Sequence, residues 1–378
     1  MMEKRTRRDF LIAASAATLA AAASPLLLAS SGRQRVFVGT KTPDGILAYN
    51  WDSVSGELTP DGVAAKLENP IWITLSPDRQ YLFAALEVDS FNGKPTGGVA
   101  SFRVVGGGLQ PHSAQNSAGV GTCHVALDRT GHMLLAADYF GGTAASFRVT
   151  EGKLSPAVWN EIYIGHGPNK DRQEKAHAHF ASFSLDNRFA YMNDLGKDCI
   201  HIYTLNSETA MLTPAETYHA RPGAGPRTLH FHPNGHTAYS INELDSTVDV
   251  LEWSPVDGGL TLVTRIELLP ADYHGPTAAC DTVISKDGNF VYFANRGNNS
   301  IYLFHADAKT GSLTPGGRFD CGGKTPRNFV LDPTERWMLV ANQDSNLITV
   351  FARNPQTGEL AREGKSFAAA TPICILFV

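Results

Sequence analysis

Ionisable and polar side chains stand beside many apolar strand-like segments of this sequence, and their types suit acid–base chemistry on an ester. Ester hydrolysis needs a base for water and a donor for the developing oxyanion, and a substrate with an anionic tail also needs an anchor for that tail. His179 and Glu243 are of the type that acts as base or acid, and Arg227 and Arg296 can hold an anion with two hydrogen bonds. Further candidates for substrate contact are Glu87, His124, Tyr139, His177, Asp281 and Arg327.

A repeated strand pattern places these residues. A β-branched strand leads into a turn such as Ser-Pro-Asp or Asp-Gly, and a second strand then ends in a small residue followed by Asn or Asp. Copies of this pattern start at Trp72, His124, His179, Arg227, Asp281 and Arg327. Third and fourth strands follow most copies. A period of about 40 to 50 residues with four short strands per unit indicates β-propeller blades, so the sequence predicts an all-β fold.

The two ends of the repeat region predict a seventh blade. The segment 35–40 reads as the second strand of a copy that lacks its first strand, and the segment 371–377 reads as that missing strand. Pairing the two would cover both free sheet edges. We therefore expect a seven-bladed β-propeller over residues 34–378, closed by its N- and C-terminal strands, rather than six blades with unpaired ends.

Blade geometry predicts where the ionisable residues meet. The first strand of a blade lies innermost and the second returns antiparallel to it, so the start of one and the end of the other share a face of the disc. The side chains named above should therefore surround one mouth of the central channel. The opposite mouth receives mainly turn residues. We therefore expect the reaction to take place at one mouth and the other mouth to have only a structural role.

Four segments resemble those of the propeller lactonase family, which includes 6-phosphogluconolactonases and fungal carboxymuconate lactonizing enzymes. They are His177-Ala-His179, Arg221-Pro-Gly-Ala-Gly-Pro-Arg227, Asn242-Glu243-Leu244 and Asn295-Arg296-Gly297. The family's proposed active-site His, two Arg and Glu correspond to His179, Arg227, Arg296 and Glu243. The resemblance implies a hydrolase that opens a sugar-type lactone without a metal or other cofactor.

Two departures from the family pattern accompany this resemblance. Asp281 stands where relatives usually carry Glu, and Thr228 stands where His often follows the Pro-Arg pair. The shorter acid is expected to alter substrate fit. For the reaction we hypothesise that Glu243 activates water and His179 protonates the leaving alkoxide, with an exchange of these two roles as the alternative.

Structural roles compete with chemical ones at several positions. A strand-start histidine such as His124 is more often a hydrogen-bonding core residue, and the Asp or Asn at each second-strand end should bond between strands. His177 and His179, at i and i+2, have the spacing of a metal-chelating pair, but no third ligand follows by spacing, so no metal is expected. The segment 222–226 is either a tight backbone turn or a cradle of N–H groups for an anion.

Composition limits the classes of partner. The formal net charge is −5 and no run of like charges occurs, so neither nucleic acid nor an anionic membrane surface is an expected partner. The expected partner is a small lactone or carboxylate, and the oligomeric state is not predicted. The five cysteines are scattered without a Cys-x-x-Cys pair, which predicts buried thiols and no structural zinc site.

Residues 1–31 read as a secretory signal of the twin-arginine (Tat) type. Arg7 and Arg8 precede an apolar stretch from Leu11 to Ala29 that ends in small residues. We expect cleavage, release to the periplasm or the exterior, and no stable membrane insertion afterwards; a retained anchor is the alternative. This location favours a non-phosphorylated aldonolactone as substrate.

Two other functions remain open from the sequence alone. A cycloisomerase that closes a muconate-type acid into a lactone would use the same arginines, because both reactions interconvert a lactone and a carboxylate. A non-catalytic propeller that binds a ligand is the second alternative, since propellers host many functions.

Overall fold

The computed structural model describes residues 33–378, which form 29 strands. Helical structure in this range is confined to two 3₁₀ turns, Leu195–Lys197 and Gln343–Ser345. None of its helices has the length and apolar character that a membrane crossing requires. The signal predicted for residues 1–31 lies outside the described residues and stays a prediction, as does the start of the mature domain.

The strands form seven antiparallel sheets, which we number as blades along the chain. Blade 1 contains β29 (Pro372–Phe377), β1 (Arg33–Thr40), β2 (Ile46–Asp52) and β3 (Glu57–Ala65). Blade 2 contains β4 (Pro70–Leu75), β5 (Tyr81–Leu86), β6 (Gly98–Val105) and β7 (Gly108–Asn116). Blade 3 contains β8 (Thr122–Leu127), β9 (Met133–Asp138), β10 (Thr143–Thr150), β11 (Lys153–Leu154) and β12 (Trp159–Ile162).

Blade 4 contains β13 (Ala178–Phe183), β14 (Phe189–Asp194), β15 (Cys199–Asn206) and β16 (Met211–His219). Blade 5 contains β17 (Pro226–Phe231), β18 (Thr237–Asn242), β19 (Thr247–Trp253) and β20 (Leu260–Glu267). Blade 6 contains β21 (Ala279–Ile284), β22 (Phe290–Asn295), β23 (Ser300–Ala306) and β24 (Leu313–Asp320). Blade 7 contains β25 (Pro326–Leu331), β26 (Trp337–Asn342), β27 (Leu347–Arg353) and β28 (Leu360–Ala368).

The C-terminal strand closes the ring, which confirms the predicted seventh blade. β29 pairs antiparallel with β1, with Phe37 opposite Leu376 and Val38 opposite Ile375. The innermost strands of neighbouring blades touch around a full circle, and β29 contacts both β25 and β4. Both chain ends are thereby paired within one sheet, so the ring has no open seam.

Burial follows strand position within a blade. Second strands such as β5, β14 and β26 are buried at every residue, whereas outermost strands such as β3 and β20 are mostly exposed. A second strand lies between two neighbouring sheets and must be apolar on both faces, as in other sheet-on-sheet packings. This explains why the second strands give the clearest signal in the sequence.

A repeated hydrogen bond joins adjacent blades. Its donor is a tyrosine hydroxyl in a second strand, and its acceptor is a glycine carbonyl in the outer hairpin of the next blade. The three pairs are Tyr191–Gly258 at 2.8 Å, Tyr239–Gly311 at 2.6 Å and Tyr292–Gly358 at 2.6 Å. Each glycine has φ between 66° and 79°, which explains the Gly of the recurrent Gly-x-Leu motif.

Replacing Tyr239 by Phe should lower the free energy of unfolding by about 1 to 3 kcal/mol, because the buried carbonyl of Gly311 loses its donor. Chemical denaturation followed by tryptophan fluorescence measures this difference. Tyr273→Phe is the control, since the Tyr273 hydroxyl bonds in an exposed loop. Equal stability of the two variants would contradict the proposed role of the inter-blade bond.

Candidate active site

Each innermost strand carries a β-bulge near its start. In blade 5, Pro226 pairs with Asn242 and Thr228 with Ile241, so Arg227 between them has no cross-strand partner. The same irregularity occurs in every blade, and in blade 6 it extends over two residues. The residues at this position, from blade 1 to blade 7, are Ile373, Ile71, Cys123, His179, Arg227, Cys280 and Arg327. A bulge re-aims a side chain, and we call these seven residues the bulge ring.

The residue after each second strand forms a second ring above the first. Its backbone N–H bonds the carbonyl of the residue just before the innermost strand, as Glu243 N does to Gly225 O at 2.8 Å. The seven residues, which we call the exit ring, are Lys41, Glu87, Tyr139, Leu195, Glu243, Arg296 and Gln343. Strand starts and strand ends therefore share one mouth, as the sequence predicts.

Members of both rings line a polar cavity of about 260 Å³ at this mouth. Its walls are Lys41, Glu87, Cys123, Tyr139, Phe140, Arg172, His179, Glu243, Arg296 and Arg327. Arg227 lies directly beneath, in contact with Glu243, and lines the narrow channel below. The predicted residues His179, Arg227, Glu243, Arg296, Arg327, Glu87 and Tyr139 are thus brought together.

Glu243 is the centre of this cluster. Its carboxylate is 3% exposed and is paired with Arg172 at 2.6 Å, Arg227 at 2.9 Å and Arg296 at 2.7 Å. The N–H groups of Arg296 are not aligned with the carboxylate, so that contact is an ion pair without a hydrogen bond. Burial opposes the charged carboxylate, but the positive charges of Arg296 and Arg227, and to a lesser extent of Arg172, hold the pKa of Glu243 well below its usual range.

Arg172 was not predicted as a site residue. It lies in the segment 163–177, which connects β12 to β13 and lies outside the repeated strands. From there the guanidinium reaches Glu243 and the Tyr139 hydroxyl, at 2.6 and 3.2 Å. The signal available in the sequence is the length of this connection, which exceeds every other link between strands of the described chain.

His179 faces the cavity as a neutral imidazole. Burial, and then the positive charge of Arg227, hold its pKa well below the ordinary histidine value. Nδ1 is buried, and neither ring nitrogen is hydrogen-bonded to another residue of the range 33–378. A neutral histidine with free nitrogens beside a cavity is suited to accept a proton from bound water.

Arg327 differs from the other arginines of the site. Arg172, Arg227 and Arg296 each pair with Glu243, whereas the Arg327 guanidinium pairs with no carboxylate among the described residues. Burial, together with the charges of Arg296 and Arg227, lowers the pKa of Arg327. An unpaired, partly buried cation at a cavity wall is suited to bind an anion or an oxyanion.

Cys123 also lines the cavity and was missed as a candidate. Its thiol donates toward the backbone carbonyl of His179 at 3.3 Å, and burial raises its pKa well above the ordinary value. A protonated buried thiol is a poor nucleophile, so Cys123 shapes the cavity rather than attacking a substrate. All five cysteines are buried free thiols, as expected from the sequence.

Three predicted substrate contacts lie elsewhere. His124 is one residue beyond the bulge position, packs at a tilt against the rings of Trp72 and Phe180, and accepts the Ala181 N–H through Nδ1 at 3.2 Å. His177 stacks on Tyr139 and bonds its backbone carbonyl, outside the cavity. It therefore positions Tyr139 and does not point the same way as His179, because the bulge breaks the i, i+2 alternation.

Asp281 is likewise displaced from the polar cavity. Its carboxylate accepts hydrogen bonds from Asn328 Nδ2 and from the Thr282 N–H, both at 2.8 Å, and lies 3.5 Å from His230 Nε2. The copies read from Trp72, His124 and Asp281 were therefore one residue out of register. The residues equivalent to His179 in those copies are Ile71, Cys123 and Cys280.

The opposite mouth is more than a set of turns, contrary to expectation. It holds an open cavity of about 410 Å³ whose walls include Trp72, His124, Phe180, His230 and Phe231. These walls are mainly apolar and aromatic. The two mouths therefore differ in polarity, and the ionised cluster occupies one of them.

The segment 222–226 does cradle an anion, but that anion belongs to the chain itself. The Gly223 and Gly225 N–H groups donate to the Asp198 carboxylate at 2.7 and 2.8 Å. Gly225 has φ of 67°, which turns the chain into β17 just before Arg227. The segment therefore works as a fixed turn that positions Arg227.

Comparisons with known proteins agree over nearly the whole chain. A family model described as "Lactonase, 7-bladed beta-propeller" matches residues 35–377. A 6-phosphogluconolactonase of Bacillus subtilis is 32% identical over 348 residues, which are 90% of this chain and 97% of that protein. A solved structure of the Pseudomonas aeruginosa periplasmic gluconolactonase PpgL is 30% identical, with a TM-score of 0.85 over 92% of this chain and 99% of that one.

Proposed function

The chain belongs to the lactonase family of seven-bladed β-propellers, and we propose that it hydrolyses a sugar-type lactone in the cavity lined by His179, Glu243 and Arg327. The observation that carries this proposal is the combination of a neutral, unpartnered histidine and an unpaired guanidinium around one cavity. A base for water and a cation for the oxyanion are the two groups that ester hydrolysis requires.

We assign the role of base to His179 rather than to Glu243. The three guanidiniums around Glu243 lower its pKa, which makes the carboxylate a weak base. His179 takes a proton from water while the water oxygen bonds to the lactone carbonyl carbon. The ring C–O bond then breaks, and the leaving alkoxide takes that proton back from His179. The product is a hydroxy acid, whose carboxyl proton passes to solvent.

The arginines stabilise the negative charge that develops during these steps. Arg327 has no carboxylate partner and is free to contact the carbonyl oxygen as it becomes an oxyanion. Glu243 holds Arg227 and Arg296 in fixed positions beside it, at 2.9 and 2.7 Å. The carboxylate thus fixes the positions of these two guanidiniums. Charges that are already in place need little reorganisation when negative charge develops on the substrate.

Cations at the outer edge of the cavity are suited to the far end of the substrate. Lys41 and Arg172 have side chains that are 46% and 42% exposed, whereas Arg296 is 14% exposed. A lactone whose carbonyl reaches Arg327 would direct its other end toward Lys41 and Arg172. This arrangement supports acceptance of a phosphorylated sugar lactone as well as a neutral one.

Replacing Lys41 by Met should raise KM for 6-phosphogluconolactone about five- to tenfold and change KM for gluconolactone less than twofold, because only the first substrate carries a phosphate to pair with the ammonium group. Steady-state kinetics with both substrates measures the ratio. Lys286→Met is the matched control, since Lys286 lies on the turn between β21 and β22 at the other face. Equal changes for both lactones would contradict phosphate binding at Lys41.

The function itself is tested with the purified protein in a pH-stat. Gluconolactone, other aldonolactones, 6-phosphogluconolactone and a muconate-type acid are assayed against the spontaneous rate. We expect acid release from at least one sugar lactone well above the uncatalysed reaction. Closure of the muconate alone would identify a cycloisomerase, and no turnover by folded protein would leave the ligand-binding alternative.

We further propose that the protein works in the periplasm after export by the twin-arginine route. The Arg7-Arg8 motif and the apolar stretch that follows it support this location. The similarity to a periplasmic gluconolactonase supports it independently. Cell fractionation tests the proposal. The wild type should appear in the periplasmic fraction, and a variant in which Arg7 and Arg8 both become lysine should stay in the cytoplasm.

A further inference from the structure

Blade 4 contains, outside the cavity, a compact group of three side chains of the types that can bind a metal ion. Asp194 ends β14, Cys199 begins β15 directly opposite it, and His201 follows two residues later on the same face of the sheet. Cys199 Sγ and Asp194 Oδ2 each lie 3.5 Å from His201 Nε2, and all three atoms lie within 4.8 Å of one another. Asp194 and Cys199 are buried, and the His201 side chain is 13% exposed.

The two separations from His201 Nε2 suit a tetrahedral metal. Zinc binds thiolate sulfur at about 2.3 Å and imidazole nitrogen or carboxylate oxygen at about 2.0–2.2 Å, which places neighbouring ligand atoms about 3.3–3.6 Å apart. The observed 3.5 Å separations fall in that range. A hydrogen bond between the same heavy atoms of Asp194 and His201 would be shorter.

One carboxylate oxygen is left without a hydrogen-bond partner. Asp194 Oδ1 accepts the N–H groups of His177 and Lys197, at 2.8 and 3.2 Å, whereas the buried Oδ2 accepts none from the described residues. An unsatisfied buried oxygen is costly, and a metal ion would satisfy it. Oδ2 points toward His201 and Cys199, the direction in which a bound ion would lie.

Comparison with blades 3 and 5 shows that this group stands where those blades have an ordinary hydrogen bond. There the strand-end side chain bonds a hydroxyl at the start of the third strand, as Asp138 does with Thr143 at 2.7 Å and Asn242 with Thr247 at 2.9 Å. In blade 4 the hydroxyl is replaced by the Cys199 thiol, with an imidazole added beside it. The two strands are thus connected in the same way as in blades 3 and 5, but the side chains at the connection are ones that bind soft metal ions.

Contrary to the expectation from cysteine spacing, we propose that Asp194, Cys199 and His201 bind one Zn²⁺ ion, with a water molecule as the fourth ligand. Aspartate and thiolate together balance its charge, and the Cys199 proton is released to solvent on binding. Tyr163 stacks on the His201 ring at 4.2 Å, and His177 is held by Asp194, so the bound ion would fix both ends of the segment 163–177 that carries Arg172.

Cobalt titration of the full-length protein tests the site directly and does not depend on lactonase activity. Co²⁺ should bind at about one equivalent, give the absorption bands of tetrahedral cobalt and a thiolate-to-metal charge-transfer band, and be displaced by Zn²⁺. Cys199→Ser should abolish the charge-transfer band. His201→Asn should weaken binding at least about tenfold, and it guards against misfolding of the cysteine variant. Zn²⁺ at about 100 times its Kd should raise the Tm of the wild type by about 4 °C.

The matched control is Cys321→Ser, which alters a buried thiol in another part of the ring and should leave every band in place. Folded wild-type protein that binds no Co²⁺ or Zn²⁺ at micromolar concentrations overturns the proposal. The same spectrum in Cys199→Ser and wild type, or retained affinity in His201→Asn, overturns it as well.

Discussion

Replacing Arg327 by Met is expected to lower kcat/KM for lactone hydrolysis about 100- to 1000-fold without lowering the free energy of unfolding. The loss follows because Arg327 is the one cavity arginine without a Glu243 contact and is therefore placed to meet the oxyanion. Stability should stay constant or rise, since burial and two neighbouring arginines already disfavour this charge in the folded protein. Gain of stability with loss of activity is the expected behaviour of a functional residue.

The Arg327 experiment needs kinetics and denaturation on the same samples. Arg227→Met is the contrasting variant, because Arg227 bonds both Glu243 and the Cys280 carbonyl and its loss should destabilise the protein. Arg318→Met, an exposed change on β24, should affect neither quantity. If Arg327→Met kept wild-type turnover on every lactone cleaved by the enzyme, the oxyanion role would be wrong.

The His179→Gln variant should lower kcat about 1000-fold while KM changes little, since glutamine fills a similar volume but does not act as a base near neutral pH. The remaining arginines still bind the substrate. His124→Gln is the control, because His124 packs outside the polar cavity and this variant should keep the wild-type kcat.

A Glu243→Gln variant should raise KM and lower stability, because it releases three arginines. A larger kcat loss in Glu243→Gln, with KM unchanged, would reverse the assigned roles.

The pH profile of the wild type gives an independent check on His179. A general base works in its neutral form, so kcat/KM should fall as pH drops through the histidine pKa in the free enzyme. Burial and Arg227 hold that pKa below the ordinary value, so activity should persist below pH 6.5, where an ordinary histidine would already be largely protonated. Activity that fell with a midpoint above pH 7 would contradict the base assigned here.

The architecture was predictable because it follows from a sequence repeat, and the mouth that carries the ionisable residues was predictable because it follows from strand direction. Second strands are buried on both faces and therefore stand out as apolar segments, such as Tyr81–Leu86. The closing strand could be identified because residues 371–377 match the first strand of the other copies. Glu243 and Arg296 were placed together because each follows a second strand, and all second strands end at one mouth.

The sequence pattern placed the start of the innermost strand one residue too late in blades 2, 3 and 6. A bulge adds one residue without changing the composition of the strand, so the pattern read from His124 looked equivalent to that from His179. Counting back five residues from the first residue of each turn, such as Asp128 or Ser184, gives Cys123 and His179 as true equivalents. Arg172 was not predictable in this way, because its segment lies outside the repeat and its reach toward Glu243 depends on tertiary folding.

The order of residues in the bulge ring divides the channel wall into two unlike arcs. Blades 1 to 3 present Ile373, Ile71 and Cys123, whereas blades 4 to 7 present His179, Arg227 and Arg327, with Cys280 between the two arginines. The imidazole and the guanidiniums therefore act from one side of the channel. A sugar lactone and its mirror image cannot present the same groups to them in the same order.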